Sequence, residues 1–209
     1  MVNITQFYFT RIKRFFQSSQ IDYQYISKFE EQMTNGRIIV FDTETTGLDT
    51  SNDDIIQLAA IELINGKIGQ SFECFFATDK PLSPTQTIHN ISNEQLKSKS
   101  IDKKGGLGQF IDFVGKDALL AHNIQFDYSI INSNLLRTGL DSIDRKKTPL
   151  FCTLSLSRQM IKLPSYKLGR ILKSLNIPGE NSHDALDDVK ATVNLAIYLK
   201  NQIADLNLG

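Results

Sequence analysis

Arg37-Ile38-Ile39-Val40-Phe41-Asp42-Thr43-Glu44-Thr45-Thr46-Gly47 passes without a break from a continuous apolar run into a pair of acids. A short, uninterrupted apolar run of this kind is the pattern of a strand covered on both faces, so a central strand is expected here. Side chains alternate along extended backbone, and Asp42 and Glu44 should therefore point the same way. Two like charges at the end of an apolar strand are costly unless something cationic lies between them, and a hard divalent cation with oxygen ligands is suited to that place. The competing reading of this segment taken alone is a strand-end turn with solvated acids.

Outward from this strand, the runs DIIQLAAIELI and KIGQSFECFFA read as two further strands joined by Asn65-Gly66. That dipeptide readily supplies the two positive φ angles of a type I′ hairpin, so the first three strands should form an antiparallel meander. Beyond residue 90 the pattern changes to helix near 107–115, the apolar run ALLAH, helix around 125–138, the run PLFCTL, and helices around 165–175 and 184–201. A meander that leads into alternating strand and helix predicts an α/β domain with a mixed central sheet and helices on its faces. In the opposite direction, Ile21, Tyr25, Ile26 and Phe29 recur at helical spacing. The expected organisation is an N-terminal helical extension over 1–35, a main domain over 36–203 and a short tail over 204–209.

The chain has 209 residues, 41% of them apolar, and 23 basic against 23 acidic residues. This is the balance of a globular domain with its own core rather than of a disordered or fibrous chain. A zero net charge neither favours nor excludes a nucleic-acid ligand, because an acidic site can cancel a basic rim in the sum. Cys74 and Cys152 lack CxxC spacing, so they are read as small buried hydrophobes rather than a disulfide or zinc site, and a reducing cytoplasm fits them. Arg11, Lys13 and Arg14 interrupt the N-terminal apolar residues before a signal core or membrane span could form.

Two more segments place acids against apolar surfaces. In SHDALDDVKATVNLAIYLK, Asp188 shares a helical stripe with Ala185, Ala191 and Leu195, whereas Asp187 neighbours Lys190 and Asn194. Asp188 should face the sheet and Asp187 the solvent. Asp184 is explained by the positive end of the helix dipole, with Ser182 as the expected N-cap. His183, beside these acids, has the titration range to take a proton from an attacking water. In AHNIQFDYSII, Asp127 sits early in a helix next to the apolar Ile130 and Ile131; taken alone it would be an ordinary N-terminal acid. Lys162, Lys167, Arg170 and Lys173 could contact phosphates or simply form a solvated helix face.

Together these segments resemble the DEDDh (DnaQ-like) 3′–5′ exonuclease family, that of the epsilon proofreading subunit of bacterial DNA polymerase III. The family's FD-x-E-TTG appears as Phe41-Asp42-Thr43-Glu44-Thr45-Thr46-Gly47, its HN-x3-FD as His122 to Asp127, and its H-x-A-L-x-D as His183 to Asp188. The resemblance implies an RNase H-like fold with a five-stranded mixed sheet. It also implies two Mg²⁺ or Mn²⁺ ions held by Asp42, Glu44, Asp127 and Asp188, with His183 as general base. Thr43, Thr45 and Leu48 would contact the terminal nucleotide, and His89 and Asn123 would lie close to the substrate. The segment Ile88-His89-Asn90-Ile91-Ser92 has asparagine where the family has glycine, a replacement that the left-handed backbone region tolerates. Cys152 stands before Thr153 where many relatives have aspartate, with no effect expected on the metal site.

The implied activity is metal-dependent removal of nucleoside 5′-monophosphates from a single-stranded or frayed 3′ end of DNA, in proofreading, replication or repair. The alternatives are an RNA-trimming exoribonuclease of the same superfamily and an inactive nucleic-acid-binding module. A DNA polymerase or another replication or repair protein is the partner the resemblance brings in, although the short stretch after the last helix fits a stand-alone nuclease equally well.

Overall fold

The computed structural model describes residues 22–82 and 85–208, with side chains described as far as residue 203. Chain order within it is α1 (Tyr23–Asn35), β1 (Arg37–Thr45), β2 (Ile55–Ile64), β3 (Lys67–Phe76), α2 (Gln86–His89), α3 (Asn93–Lys99), β4 (Ser100–Ile101), α4 (Lys103–Val114), β5 (Ala118–Ala121), α5 (Ile124–Arg137), β6 (Leu150–Cys152), α6 (Thr153–Met160), α7 (Leu168–Leu175) and α8 (Ala185–Leu208). The strands form one mixed sheet in the order β4-β3-β2-β1-β5-β6. β1 runs antiparallel to β2 on one side and parallel to β5 on the other.

This central place explains why β1 is apolar on both faces. Ile38 and Val40 pack into a cluster with Val189 and Leu195 of α8, while Ile39 and Phe41 pack into a second cluster with Phe110 of α4 and Ile130 of α5. The two halves of the core are thus fixed by alternation along a single strand. The β2–β3 hairpin turns on Asn65 (φ 52) and Gly66 (φ 74), the two positive angles that the dipeptide was expected to supply.

The sheet has six strands rather than the expected five. Ser100 and Ile101 pair in parallel with Phe75 and Phe76 at the outer edge of β3, and two residues are too few to show any alternation in sequence. Helix α6 begins at Thr153, inside the run PLFCTL that reads as strand throughout, so the strand stops at Cys152. The last helix extends to Leu208, through most of the stretch expected as a tail.

Residues 1–21 of the expected N-terminal extension lie outside the described residues. The part that is described belongs to the core. Asp22 caps α1 by accepting from Tyr25 N at 2.9 Å, and Ile26, Phe29 and Met33 are buried against α8 and β1. Phe29 meets Phe151 edge to face at 5.7 Å, and the Tyr25 hydroxyl accepts from Cys152 N at 2.6 Å, occupying an amide of edge strand β6. At the end of the sheet away from Asp42, Arg37 donates to Glu62 and Asp117 (both 2.7 Å) and to the carbonyl of Phe113 (2.9 Å) at the end of α4. No helix among the described residues is long and apolar enough to cross a membrane.

Because Phe29 is fully buried where α1 meets the sheet, Phe29→Ala should lower the unfolding free energy by about 3–5 kcal/mol. Urea denaturation followed by circular dichroism measures this. A loss near zero would show that α1 is an appendage rather than part of the domain.

Candidate active site

The chemistry-bearing segments all lead to one place, the ends of β1 and β5. Alternation along β1 puts Asp42 and Glu44 on the side of α8 and Thr43 on the side of α5. On that second side the Thr43 hydroxyl donates to Asp127 Oδ1 at 2.8 Å, which fixes a carboxylate from the first turn of α5 against the strand. Asp188 lies in the first turn of α8 and is buried, whereas Asp187 is exposed and pairs with Lys190 at 2.9 Å. Helical spacing separates the two acids as expected.

The register of β2 with β1 sets where α8 begins. Gln57 is opposite Glu44 and has no exposed surface. Its Nε2 donates to Asp184 Oδ2 (3.0 Å) and Glu73 Oε1 (2.9 Å), and its Oε1 accepts from Ala185 N (3.1 Å). A buried amide thus ties the start of α8 to the sheet beside Glu44. Asp184, not Ser182, caps this helix, since its Oδ1 accepts from Leu186 N (3.1 Å) and Asp187 N (3.2 Å). Ser182 instead gives its amide to Asp188 Oδ1 at 3.0 Å, and Asn181 Nδ2 donates to Asp188 Oδ2. His183, between them, is exposed and has φ 57, a left-handed conformation uncommon for histidine. The loop bends there so that the imidazole reaches the acids. One ligand atom from each of Glu44, His183 and Asp188 lies within 4.8 Å of the others.

Asp42 and Asp127 stand outside that tight trio but line the same cleft of about 960 Å³, as do Thr43, Thr45, Leu48, His89 and Asn123. The structure therefore brings all the residues expected for the acids, the base and the terminal nucleotide to a single cavity, with unequal exposure; of the four cations read as possible phosphate contacts, Lys167 lines it and Lys162, Arg170 and Lys173 do not. Leu48 projects with 85% of its surface exposed. The Thr45 hydroxyl is tied down, donating to Gly47 O at 2.7 Å. His89 is buried, with Nδ1 accepting from Ile91 N and Nε2 facing Thr85 Oγ1, both at 3.0 Å, so both nitrogens serve the loop that carries it. Asn90 adopts φ 56, the left-handed turn that asparagine tolerates. His122 bridges Thr153 Oγ1 (2.9 Å) and the carbonyl of Tyr166 (3.0 Å).

The acids repel one another in a poorly solvated space. Burial, and then the charges of Asp127, Glu44 and Asp188, hold the Asp42 carboxyl well above the usual carboxylate range. Burial followed by the charge of Asp188 pushes Glu44 up to about 9, and burial pushes Asp127 up to about 7 despite the hydrogen bond from Thr43. Burial raises Asp188 to about 6, opposed by His183 and by the donors in the Ser182 loop. Among the described residues no lysine or arginine forms an ion pair with any of the four. Converging hard oxygen donors plus one imidazole, with no cationic side chain among them, fit divalent cations.

Sequence reading did not mark Gln57, Asn181, Arg158 or Tyr166. Gln57 carried a signal, being a lone amide within an apolar strand. The other three lie in loops or on a short helix and acquire meaning only through the fold.

The RNase T exonuclease family model matches residues 39–196. The chain is 35% identical over 168 residues to the PolC-type DNA polymerase III of Clostridium perfringens, a match that takes in 79% of the chain and 11% of that protein. It is 38% identical over 160 residues to the PolC-type DNA polymerase III of Listeria innocua, covering 75% and 11%. Only about a tenth of the length of these relatives is thus spanned. Among solved structures, exonuclease I superposes with a TM-score of 0.74 at 20% identity over 81% of the chain and 42% of its own. E. coli exonuclease I in complex with a dA16 oligonucleotide superposes with a TM-score of 0.72 at 19% identity. Likeness at this identity shows a shared fold, the RNase H-like arrangement of a mixed sheet between helices.

Each of these acids ionises less readily in the fold than in the unfolded chain, so each favours folding least once deprotonated. Their contribution is intact below about pH 4 and is lost as pH rises through about 6, 7 and 9 for Asp188, Asp127 and Glu44. The metal-free protein should melt at a lower temperature at pH 8 than at pH 5.5, and Glu44→Gln should flatten this slope. MgCl₂ should raise the melting temperature more at pH 8 than at pH 5.5. Calorimetry with and without EDTA checks all three, and equal slopes in parent and variant would contradict the charge-cluster account.

Proposed function

Since the chain belongs to the RNase T exonuclease family, the DEDDh (DnaQ-like) nucleases, we propose that it is a metal-dependent 3′–5′ exonuclease that releases nucleoside 5′-monophosphates from DNA. The observation that carries this reading is the convergence of four carboxylates and one histidine, from three separate segments, on one cleft, with no lysine or arginine among the described residues in an ion pair with any of the four acids.

Asp42, Glu44, Asp127 and Asp188 would hold two Mg²⁺ or Mn²⁺ ions, which when bound supply Lewis-acid neutralisation of the scissile phosphate and make a water easier to deprotonate. His183 would take the proton from that water, since its exposed imidazole lies within 4.8 Å of Glu44 and Asp188 and can pass the proton on to solvent. The water oxygen bonds to phosphorus while the bond to the 3′ oxygen of the preceding nucleotide breaks. That oxygen takes a proton and becomes the new 3′ end, and no covalent enzyme intermediate is required.

The other predicted residues would position the terminal nucleotide. Leu48 offers an exposed apolar surface against the last base, backbone around Thr43 and Thr45 is near enough to the acids to hold the 3′ hydroxyl, and Asn123 borders the same opening. The Thr43 side chain already has a partner, so its part is to orient Asp127. The loop of Leu48 is itself anchored, because Arg137 donates to the carbonyls of Ser51, Asn52 and Asp53. His89 would act through its loop rather than through a free ring nitrogen.

DNA is the preferred substrate in this reading because the relatives are DNA polymerases and the solved neighbour holds a DNA oligonucleotide. A polymerase or repair protein would be its partner, and the unit that acts would be 36–203 together with α1. A cytoplasmic site of action suits two buried free thiols.

The test is digestion of 5′-labelled single-stranded DNA with Mg²⁺ or Mn²⁺, beside a matched RNA. A ladder that shortens from the 3′ end is expected, with DNA cut faster than RNA. Asp188→Ala should abolish it, and His183→Ala should lower kcat by about 10²–10⁴-fold. No hydrolysis with either metal, or release of the 5′ label first, would overturn the assignment.

A further inference from the structure

Arg158 and Lys167 are the only cationic side chains, among the described residues, that line the acidic cleft. Both are exposed, and neither pairs with an acid in any described salt bridge. Arg158, on α6, lies over the Tyr166 ring, its guanidinium carbon 5.9 Å from the ring centre. That ring is held rigidly: its hydroxyl donates to Ile161 O at 2.8 Å and accepts from Leu163 N at 3.3 Å. The Tyr166 carbonyl meanwhile accepts from His122 Nε2, which ties the same residue to the end of β5. Desolvation, joined by the nearby charge of Arg158 and opposed by the hydrogen bond to the Tyr166 carbonyl, lowers the His122 imidazole below its usual range, which favours its uncharged form. Tyr166 packs against the core and still lines the cleft, so a held aromatic ring and two cations outside any ion pair border the same space, the elements by which single-stranded nucleic acid is held: an aromatic stacking partner and phosphate charges.

We propose that Arg158, Lys167 and Tyr166 form a second subsite, which grips the nucleotides immediately upstream of the scissile bond in a single strand. The inference rests on the exonuclease reading for the direction of the strand. The terminal nucleotide occupies the end of the cleft bearing Leu48 and the acids, and the rest of the strand leaves across the basic end. The two cations would contact backbone phosphates, and the Tyr166 ring would stack on one base of any identity.

The experiment measures binding, in EDTA, of 5′-fluorescein-labelled DNA of two, four and six nucleotides by anisotropy at several salt concentrations. Parent protein, Arg158→Ala, Lys167→Ala, Arg158→Lys and Tyr166→Leu are compared, with melting curves confirming that each folds. In the parent, affinity should rise from two to four nucleotides. Arg158→Ala and Lys167→Ala should each remove about 0.7 from the slope of log affinity against log salt, the amount expected for one phosphate contact on a single strand. Arg158→Lys should restore that slope. Tyr166→Leu should weaken tetranucleotide binding about tenfold or more while leaving the salt slope unchanged. Unaltered slopes and an unaltered gain with length in the three truncating variants would overturn the subsite. Absence of metal-dependent digestion by the parent, with these binding effects present, would instead overturn the exonuclease reading and leave a single-strand binding cleft.

Discussion

Mutual repulsion among crowded carboxylates, three of them buried and Asp42 partly so, is the constraint around which this fold is arranged. Left to themselves, Asp42, Glu44, Asp127 and Asp188 would separate or take up protons, and their raised ionisation ranges express that tendency. They stay together because each is carried by an element whose position is set elsewhere. Two belong to the central strand, one to the first turn of α5 and one to the first turn of α8. A loop-borne set could relax by moving a few dihedral angles, whereas this one can relax only by unpacking the core.

The supports differ in chemistry. The Thr43 hydroxyl and the loop donors of Asn181 and Ser182 satisfy carboxylate oxygens directly. Gln57 acts at one remove, using a buried amide to fix both the N-cap Asp184 and the first amide of α8 against β2. Neutral donors are the appropriate kind here. A lysine in the same place would satisfy the acids more strongly and would also compete with any divalent cation for them. The four acids therefore keep their unbalanced charge, and the two cations that line the same cleft among the described residues, Arg158 and Lys167, form no ion pair with any of them.

Much of this could be read from the sequence, for a physical reason. Periods of 2 and 3.6 residues reveal which face a side chain takes, so the shared direction of Asp42 and Glu44, the burial of Asp188 and the exposure of Asp187 were all legible. The Asn65-Gly66 turn was legible because few dipeptides adopt its backbone angles. The sixth strand was not, since Ser100 and Ile101 are only two residues long against β3, too short for any alternation to show. The start of α6 was hidden because Thr153 and Leu154 continue an apolar run without a break. The N-cap was misplaced by two residues because Ser182 and Asp184 are equally good caps in sequence, and only the reach of Gln57 across the sheet distinguishes them. Arg158 and Tyr166 were silent for a related cause: their significance lies in a contact between a helix and a loop, and no local period encodes it.

Helix α1 bears on where the domain begins. Its sequence precedes the family match, which starts at residue 39, and a helical period ahead of the first strand reads as an extension. Its packing says otherwise, since Phe29 and Met33 fill space between β1 and α8, and Tyr25 occupies the outermost amide of β6. An edge strand with an unpaired amide invites pairing with another chain, and a tyrosine hydroxyl placed on it removes that option while anchoring the helix. β6 runs directly into α6, which carries Arg158, and pairs with β5, which leads into His122 and α5. Whatever steadies β6 therefore also steadies the basic end of the cleft, and α1 is joined to the site through that strand although it contributes no side chain to it.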